Sequence, residues 1–182
     1  MMGQTATFPY YADQYLQCVE ILYGNQAFSL MAILPAADMD IGQLIDYLDN
    51  TKLQNIANNL YPREVWLQLP RFKIECDILL NDPIKKVGMQ RIFDETFANF
   101  NNMYNKDKDF DNLFVSKIKQ KTFVEVNEES TEAAVTAIEV VVGEPQLPPP
   151  VQFFANHPFL YLIKERSTGA ILFIGRMDEP KE

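Results

Sequence analysis

Apolar residues recur along this chain with two periods, and the switches between them divide it into elements. From Tyr15 to Leu34, in YLQCVEILYGNQAFSLMAIL, two apolar runs flank Gly24-Asn25. That pair tolerates the left-handed backbone of a tight turn, so the stretch predicts a β-hairpin. The period then becomes helical. Ile41, Leu44, Ile45 and Leu48 follow Asp40, and Leu53, Ile56, Ala57 and Leu60 follow Thr51, whose hydroxyl suits an N-cap. Two short amphipathic helices are predicted.

Alternation returns at residues 64–75, EVWLQLPRFKIE, where Val65, Leu67 and Leu69 share a face before Pro70 interrupts. A proline cannot donate to a ladder, so this is an edge strand or a strand changing sheets. Asp82-Pro83 and Gly88 bracket another short helix, proline suiting a first turn and glycine a C-terminal stop. Residues 94–112 are polar, Asn-rich and Phe-studded, which predicts an ordered loop with a helical turn. Residues 113–126, LFVSKIKQKTFVEV, put Phe114, Ile118, Val124 and Val126 on one face and Lys117, Lys119 and Lys121 on the other, a long half-buried strand. FLYLI (159–163) and AILFI (170–174), around a turn ending in Gly169, are apolar on both faces and predict a hairpin buried from both sides. The fold class is α+β, rich in antiparallel sheet.

Composition narrows the function. The 182 residues carry a net charge of −9 without a basic cluster, which argues against nucleic acid or an anionic membrane surface as partner. The longest apolar run falls far short of a membrane span, and the N-terminus lacks the basic-then-apolar layout of a secretory signal. Cys18 and Cys76 form no framework or CxxC pair and are expected to be two buried thiols. The single histidine, His157, sits in NHPF without an evident Ser or Cys partner, so it reads as a structural residue at a strand entrance. No metal site, cofactor or enzyme activity is expected.

One segment resists a simple reading. Residues 125–150, EVNEESTEAAVTAIEVVVGEPQLPPP, run from a strand of Ala, Thr, Ile and Val into a Gly-Glu-Pro turn and three prolines. A strand belongs in a sheet and a proline run outside one.

Several motifs, in order, resolve this. MMGQ (1–4), FSLMAILP (28–35), LPRFKIE (69–75), LNDPIKKVGM (80–89), FNNM (100–103), VNEESTEAA (126–134), NHPFLYLI (156–163) and FIGRMDEP (173–180) together resemble the C-terminal half of a serpin, nearly end to end. The resemblance implies a single serpin-like region over 1–182 that lacks the N-terminal half of the family fold. It implies a bait loop over about 127–150: a protease cleaves it, and the hinge side inserts as a new strand of the main sheet beside the strand at 113–126. Glu128, Glu129, Ser130, Thr131, Glu132, Ala133 and Ala134 correspond to the hinge, and Val141, Val142, Gly143 and Glu144 to the scissile region. An extracellular or periplasmic setting follows from the resemblance alone.

The residue chemistry agrees. A strand that slides between two others needs small side chains, and Thr131, Ala133, Ala134 and Ala137 are small, with Thr131, Ala133, Val135 and Ala137 alternating onto one face. Departures from the family pattern bear on insertion. Ser130 stands where a glycine is usual, TEAAVTA is one small residue shorter than TEAAAATA, Glu139 falls on the inward face, and Gln120 occupies a position where many serpins carry histidine. Between Lys121 and Lys164 there is no Lys or Arg, so the expected partner is an elastase-like serine protease, or a cysteine protease, rather than a trypsin-like one. A non-inhibitory relative and an inactive fragment remain alternatives. The fragment is expected to need a separate N-terminal piece or to form a homo-oligomer.

Overall fold

The hairpin predicted from residues 15–34 is the centre of a larger sheet. The computed structural model describes residues 1–103, 113–127 and 149–180. Its strands are β1 (Met2–Ala12), β2 (Leu16–Tyr23), β3 (Phe28–Pro35), β4 (Tyr61–Leu69), β5 (Phe72–Leu79), β6 (Lys119–Val126), β7 (Val151–Phe154), β8 (Phe159–Glu165) and β9 (Ile171–Met177). Its helices are α1 (Ile41–Tyr47), α2 (Asn50–Asn58) and α3 (Asn81–Lys86), with a 3-10 turn at Arg91–Phe93. The architecture is α+β and mostly sheet.

The chain divides into two compact units, Met1–Phe72 with Val126–Glu182, and Lys73–Glu125. The first holds a seven-stranded sheet in the order β7-β4-β1-β2-β3-β8-β9. Every pairing there is antiparallel except β4 with β7. β1 pairs with β4 from Met2 to Tyr10 and with β2 only from Tyr10 to Ala12, so one long strand joins two half-sheets at Tyr10. Burial pushes the Tyr10 phenol up to about 12.

β2 and β3 are buried on both faces, which explains their near-continuous apolar runs. On one face Leu16, Cys18, Met31, Ile33, Leu160 and Leu162 pack against Leu44 of α1 and Ile56 of α2. On the other, Phe159 and Tyr161 stack edge-on and tilted against Phe72, with centroids 6.2 and 5.2 Å away. The turn between β2 and β3 spans four residues rather than the two expected. Asn25 Oδ1 accepts the Ala27 N–H at 3.1 Å, which widens the loop, and Gly24 and Gln26 both take positive φ.

Both predicted helices form, with one change of cap. Asp40 and Gln43 close a reciprocal capping box at α1, each backbone N–H bonded to the other's side chain at 2.9 Å. At α2 the cap is Asp49, which accepts the Lys52 N–H at 2.8 Å, and Thr51 falls inside the first turn. The helix thus begins two residues earlier than expected, and a carboxylate at its N-cap also complements the helix dipole.

Pro70 acts as the sequence indicated. It is fully buried, and the chain leaves the seven-stranded sheet at Leu69 and re-enters as β5 in a separate two-stranded sheet with β6. The expected strand at 113–126 is shorter: only Lys119–Val126 is strand. Backbone upstream of it is already committed, Val115 N–H to the Ile92 carbonyl and the Ile118 carbonyl to the Leu80 N–H.

Two expectations of burial fail. Cys18 is buried, and its thiol is pushed up by desolvation, but Cys76 is exposed on β5. The C-terminal hairpin is buried only along β8. On β9, Ile171, Leu172, Phe173 and Ile174 are 36–64% exposed, because β9 is the last strand of the sheet and α1 and α2 pack over β2, β3 and β8 instead.

Inside this apolar frame lies one charged group. Glu20 on β2 is 5% exposed; it accepts from Ser29 Oγ on β3 at 2.7 Å and faces Lys164 Nζ on β8 at 3.0 Å, with Arg166 Nε at 3.9 Å. Removing one partner of a buried pair leaves the other uncompensated. Lys164→Met is therefore expected to lower stability by about 3 kcal/mol, the low end of that range because Arg166 remains nearby. Adding Glu20→Gln to Lys164→Met should recover most of the loss in chemical denaturation. A double variant as unstable as the single one would contradict an electrostatic origin.

Candidate functional site: the two ends of the loop

The candidate hinge, Glu128 to Ala134, and the candidate scissile residues, Val141 to Glu144, lie outside the described residues. The segments that carry the loop on either side are described, and each shows how it is held.

Upstream, β6 leads to Asn127. Val124 and Val126 are buried while Lys119, Lys121, Phe123 and Glu125 are exposed, so the alternation read from the sequence holds over the strand's second half. Its contacts to β5 are ionic and aromatic: Lys119 Nζ lies 2.8 Å and Lys121 Nζ 3.9 Å from Asp77 Oδ2, and Lys73 Nζ sits 4.9 Å above the Phe123 ring. These are surface pairs of small individual worth. Among the described residues, β5 is the only strand that pairs with β6. Gln120 is exposed, with its amide 3.4 Å from Thr122 Oγ1.

The start of β6 depends on a residue that reading by period did not single out. Asn81, the first residue of α3, donates its amide to the Ser116 carbonyl at 2.9 Å and accepts the Ile118 N–H at 2.8 Å. One side chain thus satisfies a donor and an acceptor in the segment that delivers the chain to β6. The bonds span 35 and 37 residues, so no local pattern announces them; the only sequence signal is Asn81's place in LNDPIKKVGM.

Downstream, β7 returns the chain to the edge of the seven-stranded sheet. It pairs in parallel with β4, Val65 to Val151 through Gln68 to Phe154, and the Ala155 N–H extends the ladder to the Gln68 carbonyl at 2.8 Å. Phe153 is fully buried, and Phe154 meets Trp66 edge-to-face with centroids 5.0 Å apart. His157 follows, exposed, with Nδ1 3.0 Å from its neighbour Asn156 Oδ1. Among the described residues no three His, Cys, Asp or Glu side chains group as metal ligands, and no helix is long and apolar enough to cross a membrane.

Comparison with known proteins gives this geometry its context. The family model described as serpin (serine protease inhibitor) matches residues 1–180. A serpin-like protein of Thermococcus kodakarensis is 34% identical over 184 residues, covering 100% of this chain and 42% of that protein. Human leukocyte elastase inhibitor is 36% identical, covering 99% of this chain and 48% of its own length. Rat neuroserpin is 37% identical, covering 91% and 39% respectively. Among solved structures, the native thermophilic serpin tengpin superposes with a TM-score of 0.79 at 26% identity, over 100% of this chain and 46% of its own. The chain belongs to the serpin family. It spans less than half the length of the relatives it matches.

The Asn81 clamp makes a local prediction. Asn81→Ala should leave the half-buried Ile118 N–H without its acceptor, at a cost of about 1 kcal/mol. Amide hydrogen exchange should then accelerate at Ile118 and along the first residues of β6. Unchanged exchange there would mean that the Leu80 bond to Ile118 holds the segment by itself.

Proposed function

We propose that this chain carries the loop-bearing part of a suicide protease inhibitor, in which Thr131–Val142 is the strand that inserts after cleavage. The observation that carries the reading is the setting of the loop: β6 runs into the hinge with strand pairing to β5 alone among the described residues, beside a segment whose side chains are small and alternate. Family membership supports it, and one relative is named as an inhibitor of leukocyte elastase. The two compact units act as one serpin-like region in this reading. The target is an elastase-like serine protease, or a cysteine protease, because residues 122–163 offer no cation to a trypsin-like pocket.

The exposed apolar strand β9 favours a second statement, that the 182 residues by themselves are not a working inhibitor. Insertion needs a strand on the far side of the gap. Among the described residues, β6 has no such neighbour, and the relatives are about twice as long. The remaining part of the fold must be present, in the same polypeptide or as a separate N-terminal fragment, before the cycle can run.

Two measurements test this. Digestion with elastase should first cut between Val140 and Leu147, read by mass spectrometry, whereas trypsin should leave that window intact; a first tryptic cut inside it would sink the specificity claim. In a molecule completed by the missing strands, Thr131→Arg would drive an unpaired cation into the sheet, at a cost of several kcal/mol. That variant should still be cleaved yet lose the SDS-resistant complex with the protease. Equal inhibition by variant and parent would mean that the loop does not insert.

A further inference from the structure

We propose that Trp66 and Phe154 form a second contact for the attacking protease, on the sheet face beside the downstream end of the loop. The inference rests on the inhibitory reading, since the loop brings the protease there, and it adds a surface outside the loop. β4 alternates strictly around the indole. Val65, Leu67 and Leu69 are buried on one side, and Trp66, 43% exposed, stands on the other. The registers place it between Thr5 of β1 and Gln152 of β7, with Thr7 opposite Glu64 and Phe154 opposite Gln68. Phe154 meets the indole with the two ring planes 87° apart.

Around the two rings this face is polar. Thr5, Thr7, Glu64 and Gln152 are all exposed, which is the composition of a sheet face turned to water. Such a face offers no apolar expanse for another layer of the fold to bury, whichever part of the fold supplied it, and the rings are its exception. An aromatic pair ringed by hydroxyls, amides and a carboxylate has the make-up of a contact with a separate partner. The rings supply the anchor and the polar groups the rim. Glu64 makes that rim negative, so it suits a cationic neighbour.

The occupant is the protease because the covalent chain delivers it here. Trp66 pairs with Gln152, which lies eight residues (152 − 144) after Glu144, the last candidate scissile residue. Eight residues span at most about 27 Å, and the step to the neighbouring strand adds about 5 Å. An elastase-like protease of about 240 residues is about 45 Å across. A body seated on Val141–Glu144 therefore reaches Trp66. Val141, Val142 and Gly143 fill a primary pocket only lightly, and a second contact on the same chain adds affinity through its high effective concentration.

Elastase digestion of the whole chain tests this, read as the rate of cleavage between Val140 and Leu147. Trp66→Ala is expected to lower kcat/KM at least about fivefold, through KM with kcat unchanged, and Trp66→Tyr should recover most of the loss. Glu64→Lys, at an exposed position, should lower it at least about twofold. Phe97→Ala, which removes an exposed ring from the other compact unit, should leave it unchanged. Trp66 is the single tryptophan of the chain, so labelling with 5-fluorotryptophan gives one fluorine resonance. That resonance should shift when elastase with its nucleophilic serine replaced by alanine is added. Cleavage of Trp66→Ala in the window at the parent rate would overturn the second contact and leave the loop reading standing. A slower Trp66→Ala with an unmoved resonance would mark Trp66 as structural only, and would overturn it too. An elastase that does not cut the window at all would remove the loop reading and this inference with it.

Discussion

Pro70 is the constraint on which the rest of this structure depends. It follows Leu69, the last residue of β4, and it cannot donate to the ladder. The chain leaves the seven-stranded sheet there, opposite the first residue of β1. Because Leu69, Pro70 and Phe72 are all buried, the departure is anchored rather than loose. Phe72 stacks on Phe159 and Tyr161, and from that anchor the chain begins the separate two-stranded sheet. β5 then supplies the pairing partner for β6, and β6 carries the loop.

The two ends of that loop are held by different physics. At β6 the local links to β5 are exposed ion pairs and a cation over a ring, each weak in water, supplemented by the Asn81 clamp before the strand begins. At β7 the chain is pinned by a buried phenylalanine, an edge-to-face ring pair and a parallel ladder. In the proposed reading, an upstream end tied to its neighbour mainly by surface pairs and a firmly packed downstream end suit a loop that inserts as a strand. On that proposal the upstream side would rearrange around the incoming strand, while the downstream side would stay with the sheet it already belongs to.

Burial tells a parallel story about completeness. β2, β3 and β8 are covered on both faces, and they hold a buried glutamate only because Ser29 and Lys164 meet it from two neighbouring strands. One strand further out, β9 has the same apolar composition without the cover. Its sequence is written for an interior position. Among the described residues it stands at the edge of the sheet, with its apolar side chains exposed.

Much of this was legible in the sequence. Period and punctuation placed the β2–β3 hairpin, both amphipathic helices, the short helix before Gly88, the sheet change at Pro70 and the alternation at the end of β6. These are local properties of backbone dihedrals, capping and side-chain spacing. The ordered motifs likewise pointed to the family. What only the tertiary structure decided is non-local. Asp49 rather than Thr51 caps α2, because the helix begins two residues earlier than the apolar period marks and takes Thr51 into its first turn. The strand at 113–126 begins six residues late, because Ile92, Leu80 and Asn81 claim the backbone first. Cys76 is exposed and Glu20 buried, because burial depends on which strands become neighbours. Apolar residues on both sides of β9 read as a buried strand, since hydrophobicity records the environment a segment suits, and only the assembled sheet determines whether anything lies beyond its last strand.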